Sequence, residues 1–272
     1  MSIDLDAYCR RIAYTGERAP TLATLCELHR LHPQALVFEN LDTLLNRPVK
    51  LDTASLEEKL VNGGRGGCCF EHNVLFDHVL RGLGFTVKEG TARVRWNVPV
   101  SVKTPRTHCV LFVDAEGEEY LADAGFGGNA LSVPLKLSSR EVQKTPHEDF
   151  RLVDEDDCVV QDARINGVWT PLYAYDFAKT HLVDYEMGNW LTSTHPQSMF
   201  VNGLLAARAE PGTCYTLRDN RPAVHTINGA TRRQTSGSVG ELRDALTDVF
   251  KLRLDQIDGL DPVLAQLAAR PS

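Results

Sequence analysis

The segment Asn62-Gly63-Gly64-Arg65-Gly66-Gly67-Cys68-Cys69-Phe70-Glu71-His72-Asn73 joins a glycine-rich bend to two adjacent thiols. Glycine lets a backbone take left-handed angles and come close to a ligand. After the bend, Phe70, Val74, Leu75, Val79, Leu80 and Leu83 recur on one broad face, so the spacing predicts a helix starting near Cys69 and stopped by Gly82 and Gly84. A cysteine in the first turn of such a helix meets unpaired amides and the positive end of the macrodipole, which favour thiolate over thiol. The same pattern also suits a tight helix-packing turn with two buried cysteines, so the thiol needs a partner elsewhere in the chain.

His108 and Asp123 provide that partner. The run Cys109 to Val113, the turn residues Asp114-Ala115-Glu116-Gly117 and the run Glu118 to Ala122 read as a β-hairpin. If Val113 stands opposite Glu118, His108 stands opposite Asp123. Directly opposed Cβ atoms lie about 4.5 to 5.5 Å apart, close enough for a carboxylate to fix an imidazole in one tautomer. A three-residue loop would slip the register by one and turn Asp123 away. Cys69, His108 and Asp123 then supply a nucleophile, a base and an orienting carboxylate, the set that a cysteine nucleophile requires. The competing grouping, Cys68, Cys69, His72 and His108 as metal ligands, lacks a recognised ligand spacing.

Elements must carry these residues. Thr21 opens a helical stretch through Leu22, Leu25, Leu28 and Leu31 that Pro33 is expected to stop. Ser55-Leu56-Glu57-Glu58 reads as a capping box opening a second helix, closed by Asn62-Gly63-Gly64. From Phe85 the chain changes to short β-type runs, with further hairpins turning at Asp154 to Asp157 and at Asn166-Gly167, so the middle is a small antiparallel sheet or barrel. Strand-like runs at Leu204 to Ala209, Cys214 to Leu217 and Ala223 to Ile227 precede a helix capped by Ser238 with Glu241 and a short one after Pro262. The fold class is therefore α+β.

Composition bounds the function. The 272 residues, 43% hydrophobic and 24% charged with 20 Gly and 13 Pro, are ordinary globular material. At about 150 residues per domain they amount to two domains' worth. Lys plus Arg at 29 against Asp plus Glu at 36 gives a net charge of −7 with no basic run, which argues against nucleic acid as a partner. The longest apolar stretches fall far short of the ~20 residues of a membrane span, and the start Met1-Ser2-Ile3-Asp4 lacks a leader pattern, so a cytoplasmic protein without a membrane partner is expected. Seven cysteines without CxxC pairs suggest reduced, buried thiols.

The chain resembles the arylamine N-acetyltransferases, in particular their bacterial type. The family motif Arg-Gly-Gly-x-Cys-x-Glu-x-Asn matches Arg65 to Asn73. Pro20-Thr21-Leu22, Phe38-Glu39-Asn40-Leu41, Ala92-Arg93-Val94, Thr107-His108, Asp123-Ala124-Gly125-Phe126-Gly127 and Asn189-Trp190 through Phe200 are similar to further family segments, in family order. The resemblance implies an α+β fold around a cysteine-protease-like core: a helical domain over 1–84 with the nucleophile, a β-barrel domain over 85–190 with the histidine and aspartate, and an α/β lid over 191–272. It implies a transferase of the kind used in xenobiotic metabolism, which moves an acetyl group from acetyl-CoA through a cysteine thioester to an arylamine or arylhydrazine by a ping-pong mechanism, with small-molecule substrates and no metal. Cys69 would be the nucleophile, His108 the base and Asp123 its orienting partner. Phe38, Val94 and Phe126 would line the acceptor pocket, and Gly127 and Gly128 could cradle CoA phosphates with backbone amides. The family usually carries an aromatic residue where this chain has Cys68. Arg65 could pair with Glu39 or Glu71 or remain a surface ion pair. Two other readings use the same residues: a cysteine peptidase or transglutaminase-like enzyme, and a non-catalytic binding module.

Overall fold

The computed structural model describes residues 3–99, 101–227, 229–255 and 257–271; Met1 and Ser2, where the reading of the chain's start begins, lie outside them. The first third is helical: α1 (Leu5–Arg11), α2 (Leu22–Ala35), α3 (Leu41–Leu44), α4 (Thr53–Leu56) running on as a π-helical turn (Glu57–Asn62), and α5 (Cys69–Gly82), with the two-residue strand β1 (Phe38–Glu39) between α2 and α3. Two expected boundaries differ. Pro33 lies inside α2, because so near the C-terminus its missing N–H forfeits a single bond, and the Leu36 N–H still reaches the His32 carbonyl at 2.7 Å. The cap of α4 is Asp52, whose Oδ1 accepts the Ser55 N–H at 3.0 Å; Ser55 is therefore already inside the helix.

The middle forms one antiparallel sheet of β2 (Thr86–Val94), β3 (Arg106–Ala115), β4 (Glu118–Ala122), β5 (Leu135–Lys136), β6 (Gln143–Lys144), β7 (Asp149–Glu155), β8 (Cys158–Ile165) and β9 (Val168–Tyr175). Its order is β5-β4-β3-β2-β9-β8-β7-β6. The Gln143 side chain links the two end strands, accepting the Lys136 N–H at 2.8 Å and donating to its carbonyl at 3.1 Å, so the sheet nearly closes into a barrel. Alternate residues of these strands fill the inside with Val110, Phe112, Leu121, Phe150, Leu152 and Tyr173, and Leu172 joins them at a register shift between β8 and β9. Residues on the other face of β3, among them Cys109, Leu111 and Val113, pack with α5 and α2 in the helical core.

The hairpin joining β3 to β4 turns at Glu116-Gly117, both at positive φ (59° and 82°), a two-residue loop whose twist suits the flanking strands. Val113 consequently faces Tyr120 rather than Glu118. The register is two residues from the expected one, and a shift of two keeps every side chain on its own face. The last ladder pair is Leu111 with Ala122, so Asp123 lies just beyond the paired strand and reaches His108 diagonally instead of standing directly opposite it.

Beyond the barrel come α6 (Leu182–Thr194), α7 (Met199–Asn202), β10 (Leu205–Glu210), β11 (Thr213–Arg218), β12 (Arg221–Thr226), β13 (Thr231–Arg233), α8 (Val239–Asp244) with a π-helical turn (Ala245–Val249), and α9 (Leu260–Ala268). The second sheet has the order β1-β10-β11-β12-β13. Its edge strand β1 comes from the helical first third, pairing Phe38 with Ala207 and Glu39 with Ala206, so the first and last thirds of the chain share one sheet. Among the described residues, no helix is long and apolar enough to cross a membrane.

Candidate active site

The glycine bend sets the position of α5. Gly64 takes the left-handed conformation (φ 66°) expected of such a bend, but Gly66 is required by packing: a Cβ there would lie 1.8 Å from the Val37 carbonyl oxygen. The close approach is to the chain's own β1 segment, with Gly67 N–H donating to Val37 O at 3.1 Å and Glu39 N–H to Gly67 O at 2.9 Å. Gly66→Ala is therefore expected to cost about 3 kcal/mol or more, because backbone, not a flexible side chain, must move. At about 2 to 4 °C per kcal/mol, a thermal melt should fall by roughly 6 to 12 °C. Gly240→Ala, in an open position of α8, should leave the melt unchanged or raised.

A partly buried ion network braces the same bend. Arg65 bonds Glu39 at 2.7 Å and Asp42 at 3.3 Å, while Lys59 bonds Asp42 at 2.6 Å and Glu71 at 2.7 Å. Arg65 thus pairs with Glu39 and not with Glu71, and the pair is partly buried, with the Glu39 side chain fully covered, rather than a surface pair. Glu71 in turn accepts the Cys68 N–H at 2.9 Å, satisfying one of the orphan donors at the start of α5. Burial raises the Glu71 pKa above its ordinary value, an effect Lys59 opposes.

Cys69 is the first residue of α5. Its thiol donates to the Thr107 carbonyl at 3.8 Å, and its own carbonyl accepts the Cys109 thiol at 3.5 Å, so the start of α5 lies against β3 on both sides of His108. A Cβ on Gly125 would come within 2.9 Å of the Cys69 backbone, which is how the segment after Asp123 fits against the same helix start. His108 Nε2 donates to Asp123 Oδ2 at 2.7 Å, the carboxylate fixing the tautomer and leaving Nδ1 free to accept. Asp123 Oδ1 accepts from Asn73 Nδ2 and from the Gly125 N–H, each at 2.9 Å. Burial would raise the Asp123 pKa, but the charge and hydrogen bond of His108, with those two donors, outweigh it and hold the group below the usual carboxylate value.

The thiol behaves differently from the sequence expectation. A hydrogen bond from Cys68 favours the Cys69 thiolate, but burial, with Cys109 and Asp123 nearby, outweighs it and the Cys69 pKa lies above its ordinary value. Burial has this effect because a lone anion taken out of water is costly.

One cleft of about 1670 Å³ is lined by Cys69 and His108 together with Phe38, Val94, Phe126, Gly127 and Gly128. The structure thus brings the sequence-selected site residues together, with Asp123 buried immediately behind His108. Phe126 stands edge-on to His108 at 5.0 Å, and Phe38 lies nearly parallel to His72 at 6.4 Å. Gly127 to Asn129 form a single 3-10 turn, and the Gly128 carbonyl accepts the Cys214 thiol at 3.2 Å, tying the turn to β11. Sequence reasoning did not single out Asn73 as the ligand of Asp123, although it lies one helical turn from Cys69 inside the quoted motif. Nor did it find Tyr173, whose ring packs 5.0 Å from His108, because a tyrosine in a strand carries no local signal of function. Among the described residues, no group of three or more His, Cys, Asp or Glu could hold a metal ion.

Buried histidines underlie the site. Tyr8 donates to His32 Nδ1 (2.8 Å), His32 Nε2 donates to His72 Nδ1 (3.0 Å), and His72 Nε2 donates to the Val37 carbonyl (3.2 Å); the carbonyl, an acceptor only, fixes the direction of the chain. Burial pushes His29 and His72 down to about 4 and His32 well below its ordinary value. All three are neutral when folded, so below about pH 6.5 the unfolded chain binds more protons and stability falls with pH toward 4. Each histidine contributes a slope of about 1.4 kcal/mol per pH unit, partly offset by Glu71 and Asp77, whose raised pKa values act in the opposite sense. Melting temperature should therefore drop steeply between pH 6.5 and 5, and a flat profile would contradict the neutral assignments.

Comparison with known proteins first gives the class: a family model described as N-acetyltransferase matches residues 21–258. The relatives narrow it. An arylamine N-acetyltransferase of Mycolicibacterium smegmatis is 39% identical over 265 residues, 96% of each chain, and one of Escherichia coli is 38% identical over 98% of this chain and 97% of its own. The structure of Mycobacterium marinum arylamine N-acetyltransferase superposes with a TM-score of 0.94 at 37% identity, covering 97% of this chain and 100% of that one. The same enzyme in complex with CoA gives 0.93 at 36% identity, covering 97% and 99%. The chain belongs to the arylamine N-acetyltransferase family, and the peptidase, transglutaminase-like and binding-module readings are set aside.

Proposed function

We propose that this protein is an acetyl-CoA-dependent N-acetyltransferase in which Cys69 carries the acetyl group from CoA to an aromatic amine or hydrazine. The observation that carries the reading is a Cys69 thiol and a carboxylate-oriented His108 lining one cleft. Attack on the thioester begins with Sγ turning from the Thr107 carbonyl toward His108, which takes its proton as the C–S bond forms. The thioester carbon passes to Cys69 and the CoA thiolate leaves, accepting that proton. The amine then attacks the acetyl-cysteine, His108 removes the amine proton, and Cys69 departs as the thiol. Asp123 stabilises the imidazolium formed in both halves.

In this reading Phe38, Val94 and Phe126 give the acceptor ring an apolar wall, while Gly127 and Gly128 present backbone to the CoA side, with Arg218 and Arg233 of the same cleft offering charge to its phosphates. The segments 1–84, 85–190 and 191–272 act as nucleophile carrier, histidine and aspartate carrier, and lid, in a protein expected to work in the cytoplasm. The test is kinetic: double-reciprocal plots against acetyl-CoA and an arylamine should be parallel, and acetyl-CoA alone should add one acetyl group to the intact mass. Intersecting lines with no trapped acetyl-enzyme would mean direct transfer.

A further inference from the structure

Asp123 follows the last residue of β4, so its backbone N–H has no partner strand to receive it. The acceptor is supplied from a helix: the Asp123 N–H donates to Nε2 of His29, on α2, at 2.9 Å. An Nε2 that accepts must be unprotonated, so the proton of this neutral imidazole sits on Nδ1. That Nδ1 is buried and has no hydrogen-bond partner among the described residues. A buried orphan donor costs about 1 to 3 kcal/mol, so a histidine kept in this pose calls for a compensating role. The ring is fully buried and packed edge-on against Phe76 of α5 at 5.6 Å, which holds it in place.

We propose that His29 is a positioning residue of this site: by accepting the Asp123 N–H it locks the peptide whose side chain orients His108. The inference rests on the acyl-transfer reading only for its consequence in turnover; the geometry stands without it. Burial keeps His29 uncharged near neutrality, its pKa lying at about 4, so the accepting lone pair is available where the enzyme would work. Without that acceptor, the Asp123 amide would be left unpaired in a dry interior. The peptide would then rotate toward another partner, carrying the carboxylate off the line to His108 Nε2.

The experiment compares His29→Leu, which fills the space but cannot accept, with His29→Gln, whose Oε1 can replace Nε2. The primary readout is the rate of iodoacetamide alkylation at Cys69, followed by peptide mapping, because it needs His108 but no acyl donor. His29→Leu should slow alkylation by about 10- to 100-fold, the loss expected when a catalytic group shifts by about 1 Å, and His29→Gln should stay within about threefold of the parent. The single-turnover rate of acetylation by acetyl-CoA should follow the same order, with KM for acetyl-CoA within about twofold in both variants. If the parent is alkylated at Cys69 but takes no acetyl group, the acyl-transfer reading fails while the alkylation comparison still decides the role of His29. A merely structural role would lower the melting temperature of both variants and leave the alkylation rate of the folded protein within about twofold, overturning the proposal. A folded His29→Gln that loses as much as His29→Leu would overturn it too. Should His29→Leu fail to fold, His29→Met, unbranched at Cβ and Cγ, takes its place with the same expected loss.

Discussion

Cys69→Ala is expected to abolish the acetyl-enzyme and reduce turnover on the order of 10⁴-fold or more, while Cys68→Ala keeps both. The two thiols are neighbours in sequence but not in direction. Cys68 is the extended residue before α5 (φ −90°, ψ −179°), and Cys69 is the first residue within it. Of the pair, Cys69 lines the cleft with His108. Cys68 has a smaller expected effect through its hydrogen bond, which favours the Cys69 thiolate. Its removal should shift the pH dependence of Cys69 alkylation upward without ending it. Intact mass and peptide mapping after acetyl-CoA treatment decide the matter: acetyl found on Cys68, with Cys69→Ala still active, would reverse the assignment.

Asp123→Asn should lower kcat/KM by about 10⁴-fold with little change in fold. The carboxylate accepts the His108 Nε2–H with one oxygen and two further N–H donors with the other. An amide can keep its oxygen toward Asn73 and Gly125 only by turning its NH₂ toward His108. That NH₂ requires an unprotonated Nε2 and moves the proton to Nδ1, the nitrogen that receives the cysteine proton in the proposed mechanism. The stabilisation of the imidazolium is lost with the charge. The comparison to make is kcat/KM against the melting temperature: a large kinetic loss with a nearly unchanged melt supports the orienting role, whereas an equal loss of both would reduce Asp123 to a structural residue.

The chemistry-bearing segments were legible because their signals are local. A glycine bend running into an apolar helical face places Cys69 at a helix start whatever the rest of the chain does, and the observed helix is Cys69–Gly82. Turn residues between β-type runs located the hairpins, including the one at Asn166-Gly167, where Ile165 pairs with Val168. Helix α6 was less legible: it leaves Leu182, Val183, Met187 and Trp190 exposed while burying Tyr185, Gly188, Asn189 and Thr192, so its apolar residues mark no single buried face.

By itself the sequence determined which residue types stand at a helix start and at the two sides of a hairpin, and the parity that puts His108 and Asp123 on one face; a register error of two residues left that intact because the side-chain period of a strand is two. What only the tertiary structure decided is how these groups are held and charged. Gly66 is needed because β1 crosses the bend, Arg65 meets Glu39 because that strand delivers it, and Asp123 is fixed by Asn73 of α5 and His29 of α2. The direction of the Cys69 pKa shift belongs to the same class. The adjacent Cys68, whose hydrogen bond pulls the pKa down, is local in sequence, but the burial that pushes it up is a property of every element closed around the site, and no local pattern encodes it.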